Sequence, residues 1–298
     1  MNNTITILDG GMGRELMRIG APFRQPEWSA LALIEDPEWV VRAHTNFIDA
    51  GAQVITTNSY AIVPFHIGDD LFASNGRRLA EVSGQCARAA AAAAGRQVLV
   101  AGSLPPLFGS YRPDLFDAAG APAIIDPLIA GLADHVDLWL GETLGSIAEA
   151  REVRAAIDRA GVGDRPLWIS YTLDDHTTGV LRSHEPVAEA VHTAIELGAA
   201  AVMFNCCQAE TITAAMHTAA EVAAGRVAIG AYANRFVAAH TDSGEANAQL
   251  ARFRDDLDPA AYCEFVDGWV AAGATIIGGC CGMEPDHIAA LATHLQQR

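Results

Sequence analysis

The chain has 298 residues, 51 % of them hydrophobic, and a formal net charge of −17. This length is common for one α/β barrel, so we predict a single domain over residues 1–298. The acidic net charge and the lack of a Lys/Arg cluster argue against a nucleic-acid partner. The sequence shows neither an apolar run of membrane-spanning length nor a signal-peptide pattern, so we expect a soluble, cytoplasmic protein.

Eight short β-rich segments alternate with helical patterns along the chain, and they predict a (β/α)8 TIM barrel. The predicted strands are ITILD 5–9, AQVITT 52–57, VLVAGS 98–103, VDLWLGE 136–142, LWISYT 167–172, AAVMFNC 200–206, VAIGAYA 227–233 and ATIIGGC 274–280. The helical segments open with Asp, Ser or Pro and close on Gly, as in 36–51 and 146–161. A doubly wound open sheet is the alternative, but DGGMGRE after the first strand lacks the G-x-G-x-x-G spacing.

Two of the six cysteines end predicted strands. Cys206 ends the sixth strand and Cys280 the eighth, and active sites on this fold lie at that C-terminal mouth. Alternate strands supply one interior layer, so these two side chains are expected to point inward together. Cys86 and Cys263 fall within helical patterns, where a free cysteine is usually a small buried hydrophobe.

The GGCCG segment at residues 278–282 adds a second thiol beside Cys280. Consecutive residues of a strand face opposite ways, so Cys281 joins Cys280 only where the backbone leaves β geometry, which the flanking glycines permit. Cys207 is expected to face away from Cys206 for the same reason. Three thiolates with a fourth position left open describe a catalytic zinc site, with Zn²⁺ as the expected cofactor.

Five motifs together resemble the homocysteine S-methyltransferase family, over nearly the whole chain. They are LDGGMGREL at 8–16, TTNSY at 56–60, GETL at 141–144, NC at 205–206 and GGCCG at 278–282. The resemblance implies a zinc-bearing barrel in which Cys206, Cys280 and Cys281 match the metal ligands. It also implies that Asp9 and Glu142 match carboxylates that bind the amino group of the substrate.

The activity implied by the resemblance is zinc-dependent transfer of a methyl group from a small onium donor to the thiol of L-homocysteine, which forms methionine. S-methylmethionine is the favoured donor, because compact members of the family tend to use sulfonium donors and betaine users carry a C-terminal extension. The sequence does not name the donor, does not exclude a related acceptor such as selenocysteine, and leaves the oligomeric state open.

Two residues depart from the family pattern. Arg14 stands where many members have Thr in the DGGMGT turn, and His184 stands where Gly is common. Arg14 either holds a substrate carboxylate or is a solvated side chain at the start of the first helix. His184 either caps the following helix or belongs to the site. The loop residues His66 and His176 are either donor contacts or ordinary surface groups.

Several neighbours of the predicted site are candidates for substrate contacts. Asn234, in YAN after the seventh strand, is the candidate oxygen ligand beside the zinc, because such a ligand fills the open position in some family members. Aromatic faces attract methylated cations, and others simply pack in the core. The aromatic candidates are Tyr60, Tyr111, Phe108 and Trp28.

Two other function classes stay open at this point. A zinc hydrolase would need a general base near the ion, and Glu142 could serve as that base. Three thiolates reduce the Lewis acidity of the metal and argue against hydrolysis. The second alternative is a non-catalytic zinc-binding paralogue whose pocket is obstructed by Arg14 or His184.

Overall fold

The computed structural model describes residues 5–237 and 252–297 and contains eight parallel strands arranged as a barrel. Strands β2 to β8 pair consecutively, β8 pairs with β1, and an isolated parallel bridge between Leu8 and Val54 closes the barrel. The strands are β1 Thr6–Ile7, β2 Val54–Thr56, β3 Leu99–Leu104, β4 Leu138–Leu144, β5 Leu167–Tyr171, β6 Ala201–Asn205, β7 Ala228–Tyr232 and β8 Ile276–Ile277. The predicted fold class, a (β/α)8 TIM barrel, is confirmed.

Helices occupy the connections between the strands. They are α1 Met12–Arg18, α2 Ala30–Glu35, α3 Glu38–Asp49, α4 Pro64–Ile67, α5 Asp69–Ala93, α6 Ala121–Leu132, α7 Ile147–Ala160, α8 Val187–Glu196, α9 Ala209–Ala223, α10 Pro259–Ala271 and α11 Pro285–Gln296. Helix α7 shows the predicted end signals: the Ser146 side chain accepts from the Glu149 amide, and left-handed Gly161 follows the last turn. Within the described ranges, no helix has the length and apolar character needed to cross a bilayer.

The apolar core has two parts that follow the alternation of the strands. Along β6, Ala201 and Met203 belong to the cluster that fills the barrel, whereas Val202 and Phe204 belong to the larger cluster between the strands and the helices. The barrel is therefore a packed core. A ligand site must lie at one of its ends.

The strand ends differ from the sequence prediction where it matters for the site. Strand β6 ends at Asn205, one residue before Cys206, and β8 ends at Ile277, three residues before Cys280. Both cysteines were expected to be terminal strand residues. The structure instead places them in the irregular backbone that follows the strands, where side-chain direction no longer alternates.

The loops that follow β1 and β8 pack directly against each other. The Gly11 amide donates to the Met283 carbonyl at 2.9 Å, and the Gly279 amide donates to the Asp9 carbonyl at 2.9 Å. A Cβ on Gly11 would lie 2.8 Å from the Cys280 carbonyl oxygen, closer than atoms approach without a shift. The DGG and GGCCG motifs, far apart in sequence, form one wall of the barrel mouth.

Candidate metal and substrate site

Three cysteine sulfurs meet at the C-terminal mouth of the barrel. The Sγ atoms of Cys206, Cys280 and Cys281 all lie within 4.8 Å of one another, and those of Cys206 and Cys281 are 3.6 Å apart. Cys206 is 3 % exposed and the other two are partly buried. Cys207 is fully buried in the outer core, facing away from this cluster as expected.

The end of β6 directs Cys206 into the mouth through a turn in the backbone. Alternation places Asn205 inside the barrel with Met203 and would turn Cys206 outward. A left-handed φ of 54° at Cys206 breaks that alternation. Such a φ is uncommon for a residue other than glycine, so the surrounding contacts must hold it.

Asn205 supplies those contacts by linking four strands or their ends. Its Oδ1 accepts from the Thr143 amide at 3.1 Å and the Ser170 hydroxyl at 2.7 Å. Its Nδ2 donates to Thr143 Oγ1 at 2.8 Å and approaches Cys280 Sγ at 3.7 Å. A buried carboxamide with partners on both ends fixes the relative positions of the elements that carry the site.

The three thiols suit a thiophilic metal ion. Two sulfurs bound tetrahedrally to zinc at ~2.3 Å would be roughly 3.8 Å apart, and the 3.6 Å separation of Cys206 and Cys281 agrees with that spacing. Hydrogen bonds from the Cys280 and Cys281 thiols hold the pKa of Cys206 well below its usual value, and the same contacts raise the pKa of the other two. The cluster can therefore bind a metal.

Two carboxylates lie in the same cavity as the sulfurs. Asp9, 3 % exposed, accepts from the Thr56 amide at 2.8 Å and the Thr56 hydroxyl at 3.2 Å. Glu142 accepts from the Ser103 hydroxyl at 2.5 Å. Burial raises the pKa of Asp9 well above its usual value, and the nearby Glu142 charge adds to that effect; burial raises the pKa of Glu142 to about 7.

These shifts bear on the predicted role of Asp9 and Glu142 in binding the amino group of the substrate. Desolvation disfavours each charge and the two charges repel, so a cation between them would favour both ionised forms. The pair is suited to a buried ammonium group.

The cavity wall combines residues from every predicted motif with a concentration of unusual backbone. Among the described residues, six other than glycine have left-handed φ, and four of these line the cavity: Trp28, Tyr111, Thr143 and Cys206. Strained conformations of this kind persist where the surrounding structure holds them and cluster at functional sites.

Two further predicted residues, Arg14 and Tyr60, line this cavity. The guanidinium carbon of Arg14 lies 4.5 Å from the centre of the Phe253 ring and 5.7 Å from that of Phe236. The Tyr60 hydroxyl is 2.9 Å from Ser110 Oγ. Of the two interpretations of Arg14, the structure shows a side chain packed on aromatic rings at the cavity, not a solvated one.

Other predicted residues lie apart from the cavity. The carboxamide oxygen of Asn234 accepts from the Phe236 amide at 3.1 Å and from Gln208, and Asn234 is absent from the cavity lining. His184 is exposed ahead of α8. His66 bonds the Pro26 carbonyl at 2.9 Å, and Phe108 lines a separate groove between α5 and α6. His176 is also exposed, with its amide bonded to Asp174.

Sequence reasoning missed the polar residues that orient the site. Thr56, Ser103 and Asn205 hold Asp9, Glu142 and the end of β6, respectively. Thr56 and Asn205 belong to motifs already singled out. Strand alternation along β6 would have placed the Asn205 side chain inside the barrel, next to Cys206 in the chain. Ser103 carried no comparable signal.

Comparison with known proteins identifies the family. The family model described as homocysteine S-methyltransferase matches residues 6–295. The homocysteine S-methyltransferase of Escherichia coli is 31 % identical, with 96 % of this chain and 94 % of that protein aligned. A selenocysteine methyltransferase of Astragalus bisulcatus is 24 % identical, with 95 % and 90 % aligned.

A solved structure gives the same result. The homocysteine methyltransferase MmuM of Escherichia coli, in its metallated form, superposes with a TM-score of 0.79 at 28 % identity, covering 98 % of this chain and 96 % of that one. The chain therefore belongs to the homocysteine S-methyltransferase family.

Proposed function

We propose that this family membership carries the activity itself: the protein transfers a methyl group from a small sulfonium donor to the thiol of L-homocysteine and forms methionine. The observation that carries the proposal is one cavity that contains three cysteine sulfurs and two carboxylates. This combination suits an acceptor that has a thiol at one end and an ammonium group at the other.

Cys206, Cys280 and Cys281 would hold a zinc ion and leave one coordination position for the acceptor thiol. Zinc supplies one chemical function when bound, which is to lower the pKa of a coordinated thiol so that a thiolate is present near neutral pH. Thiolate ligands and the sulfur spacing favour zinc over harder divalent cations. Because three free thiols need reducing conditions, we place the reaction in the cytoplasm.

Asp9 and Glu142 bind the ammonium group of homocysteine. The Thr56 and Ser103 contacts orient the two carboxylates toward one cavity, and the incoming cation removes the repulsion between them. Arg14 binds a substrate carboxylate, because its guanidinium group lines the same cavity and is held against the Phe253 ring. An α-amino acid then has a partner for each of its two charges.

The donor is an onium cation, and Tyr60 and Trp28 offer it aromatic faces in the cavity wall. The acceptor thiol releases its proton to solvent, and a sulfur lone pair forms the new bond to the methyl carbon. The bond from that carbon to the donor sulfonium breaks, and its electron pair stays on the donor sulfur, which becomes a neutral thioether. With S-methylmethionine as donor, both products are methionine.

Purified protein, zinc, homocysteine and a panel of methyl donors test the proposal, with methionine measured. We expect two methionines per S-methylmethionine consumed and little turnover with betaine. Selenocysteine as an alternative acceptor belongs in the same assay, since the chain is similar to selenocysteine methyltransferases. Failure of every onium donor to yield methionine would overturn the proposal.

The Glu142→Gln variant separates this proposal from the hydrolase alternative. Loss of a charge-assisted contact should raise the KM for homocysteine about tenfold to a hundredfold, with metal content unchanged. Glu149→Gln is the matched control. Glu149 is also a buried carboxylate, and burial raises its pKa to about 7, but it does not line the cavity. A hydrolase with Glu142 as base predicts lost turnover with unchanged ligand affinity.

The Arg14→Thr variant tests the carboxylate contact. We expect it to weaken the binding of homocysteine by about tenfold. The binding of the corresponding aminothiol, which lacks a carboxylate, should not change. A loss that appears instead only with carboxylate-bearing donors would assign Arg14 to the donor. Equal losses for substrates with and without a carboxylate would remove the assignment.

A further inference from the structure

Tyr111 places a hydroxyl group directly against one of the three clustered sulfurs. Its phenolic oxygen is 2.9 Å from Cys206 Sγ, and both residues line the cavity. Tyr111 follows β3 in a loop and has a left-handed φ of 63°. A strained conformation in a bulky residue needs support from its surroundings, and here it puts the hydroxyl on the sulfur.

A buried ion pair packs against the ring of Tyr111. The guanidinium carbon of Arg182 lies 5.2 Å from the ring centre, and Arg182 pairs with Asp175 at 3.1 Å. Both side chains are nearly buried, with 10 % and 6 % exposed. A buried pair of this kind costs desolvation energy, so its role is better sought in fixing geometry than in adding stability.

The ion pair also returns to the segment that carries Cys206. Asp175 accepts from the backbone amide of Gln208 at 2.8 Å, two residues beyond Cys206. The contacts thus run from the Cys206 segment through Asp175 and Arg182 to Tyr111, and back to the Cys206 sulfur. Each of these side chains is held in position by its contact with the one before it.

We propose that Tyr111 is a positioning residue that donates an O–H hydrogen bond to the Cys206 thiolate in the metal-bound protein, and that Arg182 and Asp175 fix its ring. The proposal rests on the metal assignment of the proposed function. A thiolate that binds a metal has no proton to give, so the phenol must donate. This bond fixes the direction of the sulfur and withdraws part of its charge, as outer contacts to metal ligands generally do.

Tyr60 provides a matched comparison for Tyr111. Both are tyrosines in the cavity wall, but the Tyr60 hydroxyl bonds Ser110 Oγ at 2.9 Å and not a sulfur. Tyr111→Phe and Tyr60→Phe therefore remove the same atom from two places in one cavity. Only the first removes a contact to a metal ligand.

The experiment measures metal binding without homocysteine or a methyl donor. Zinc affinity is determined by competition with a chromophoric chelator, and the sulfur-to-metal charge-transfer band is recorded with cobalt(II) in place of zinc. We expect Tyr111→Phe to weaken zinc binding about tenfold and to move the band to longer wavelength, because the sulfur regains charge. Tyr60→Phe should change the affinity less than about twofold and leave the band in place.

Arg182→Lys keeps the positive charge beside Asp175 but loses the planar group over the ring. It should move the cobalt band in the same direction by a smaller amount, and it serves as the test if Tyr111→Phe does not fold.

Two results would overturn the proposal. One is an unchanged affinity and band in a folded Tyr111→Phe protein, or an unchanged band in Arg182→Lys where that variant is the test. The other is a tyrosinate absorption that appears when zinc is added to the parent and to Tyr60→Phe but not to Tyr111→Phe, which would make Tyr111 a direct ligand. A protein that binds zinc with this signature but makes no methionine would sink the proposed activity and leave the role of Tyr111 standing.

Discussion

The sequence contains the dipeptide Cys-Cys twice, and the structure uses the two copies differently. After β6, Cys206 enters the cavity while Cys207 is buried in the outer core. After β8, Cys280 and Cys281 both enter the cavity. Identical residue pairs at the same end of one barrel therefore contribute one sulfur in the first case and two in the second.

The difference comes from how far each cysteine pair lies beyond its strand. Cys206 follows β6 immediately, and its left-handed φ of 54° turns its side chain into the mouth. Cys207, whose carbonyl accepts from the Asn234 amide, then faces the outer core. Cys280 lies three residues beyond β8, in backbone held by neighbouring loops. The Cys280 amide bonds the Ala233 carbonyl, and the Cys281 carbonyl accepts from Arg235. The backbone conformation after each strand therefore decides how many of its cysteines reach the cavity.

Replacing the cysteines one at a time tests this comparison with the largest expected effect. Cys206→Ser, Cys280→Ser and Cys281→Ser should each lower zinc affinity by at least about a hundredfold, because each removes a thiolate ligand. Cys207→Ser should retain the metal and lose only about 1 kcal/mol of unfolding free energy, since its hydroxyl enters an apolar core. Zinc content after dialysis and urea unfolding give the two readouts.

The outcome that breaks the comparison is specific. Full zinc retained by Cys280→Ser would show that the second pair does not supply both of its sulfurs. Zinc lost from a folded Cys207→Ser protein would show that the first pair supplies both.

Gly11→Ala tests the loop contact that shapes the second pair. The new methyl group would lie 2.8 Å from the Cys280 carbonyl oxygen and 2.9 Å from the Gly282 amide nitrogen. Both are backbone atoms, so the 280–282 segment must shift; we expect about tenfold weaker zinc binding and roughly 1–3 kcal/mol lower stability.

The control is Gly268→Ala in helix α10, where a Cβ meets nothing within 4 Å. It should raise stability by about 0.5–1 kcal/mol and leave zinc affinity alone. Unchanged zinc binding in Gly11→Ala would mean that the β1 loop does not position Cys280 and Cys281.

Metal removal should have the smallest effect on the fold, and it compares the two segments that carry the cysteine pairs directly. Because the barrel is packed around apolar side chains, chelation should leave the far-ultraviolet circular dichroism unchanged, unlike a zinc finger. Hydrogen exchange should quicken at 278–283 and change little at 204–208, where Cys207 is anchored in the core. Loss of helical signal, or equal exchange at both segments, would contradict this expectation.

The fold was predictable from the sequence, because eight β-rich runs separated by helical patterns allow few other architectures. The family resemblance was equally readable, since motifs such as DGGMG and GGCCG are local strings. The approximate locations of Cys206 and Cys280 followed from the strand ends. Their exact placement did not, because a one- or two-residue error in a strand end changes which way a side chain points.

Features that depend on contacts across the barrel were beyond sequence reasoning. Asn234 was expected at the metal because it follows β7, but its side chain bonds Phe236 and Gln208 instead. Tyr111 was considered only as an aromatic face, and nothing in its neighbourhood indicated a hydroxyl on Cys206. The raised pKa values of Asp9 and Glu142 likewise arise from burial and proximity, which no local pattern encodes.

The contact between the β1 and β8 loops has a consequence for the order of assembly. In this wall of the mouth Gly11 packs against Cys280 and Met283, so the β1 loop and the β8 loop that form it are separated by nearly the whole chain. During synthesis the first of these residues emerges long before the others, and pairing at such sequence separation forms late. The Cys206 sulfur must therefore wait for its partners, and we expect a nascent chain to acquire its metal only as a final step, after the other strands have been made.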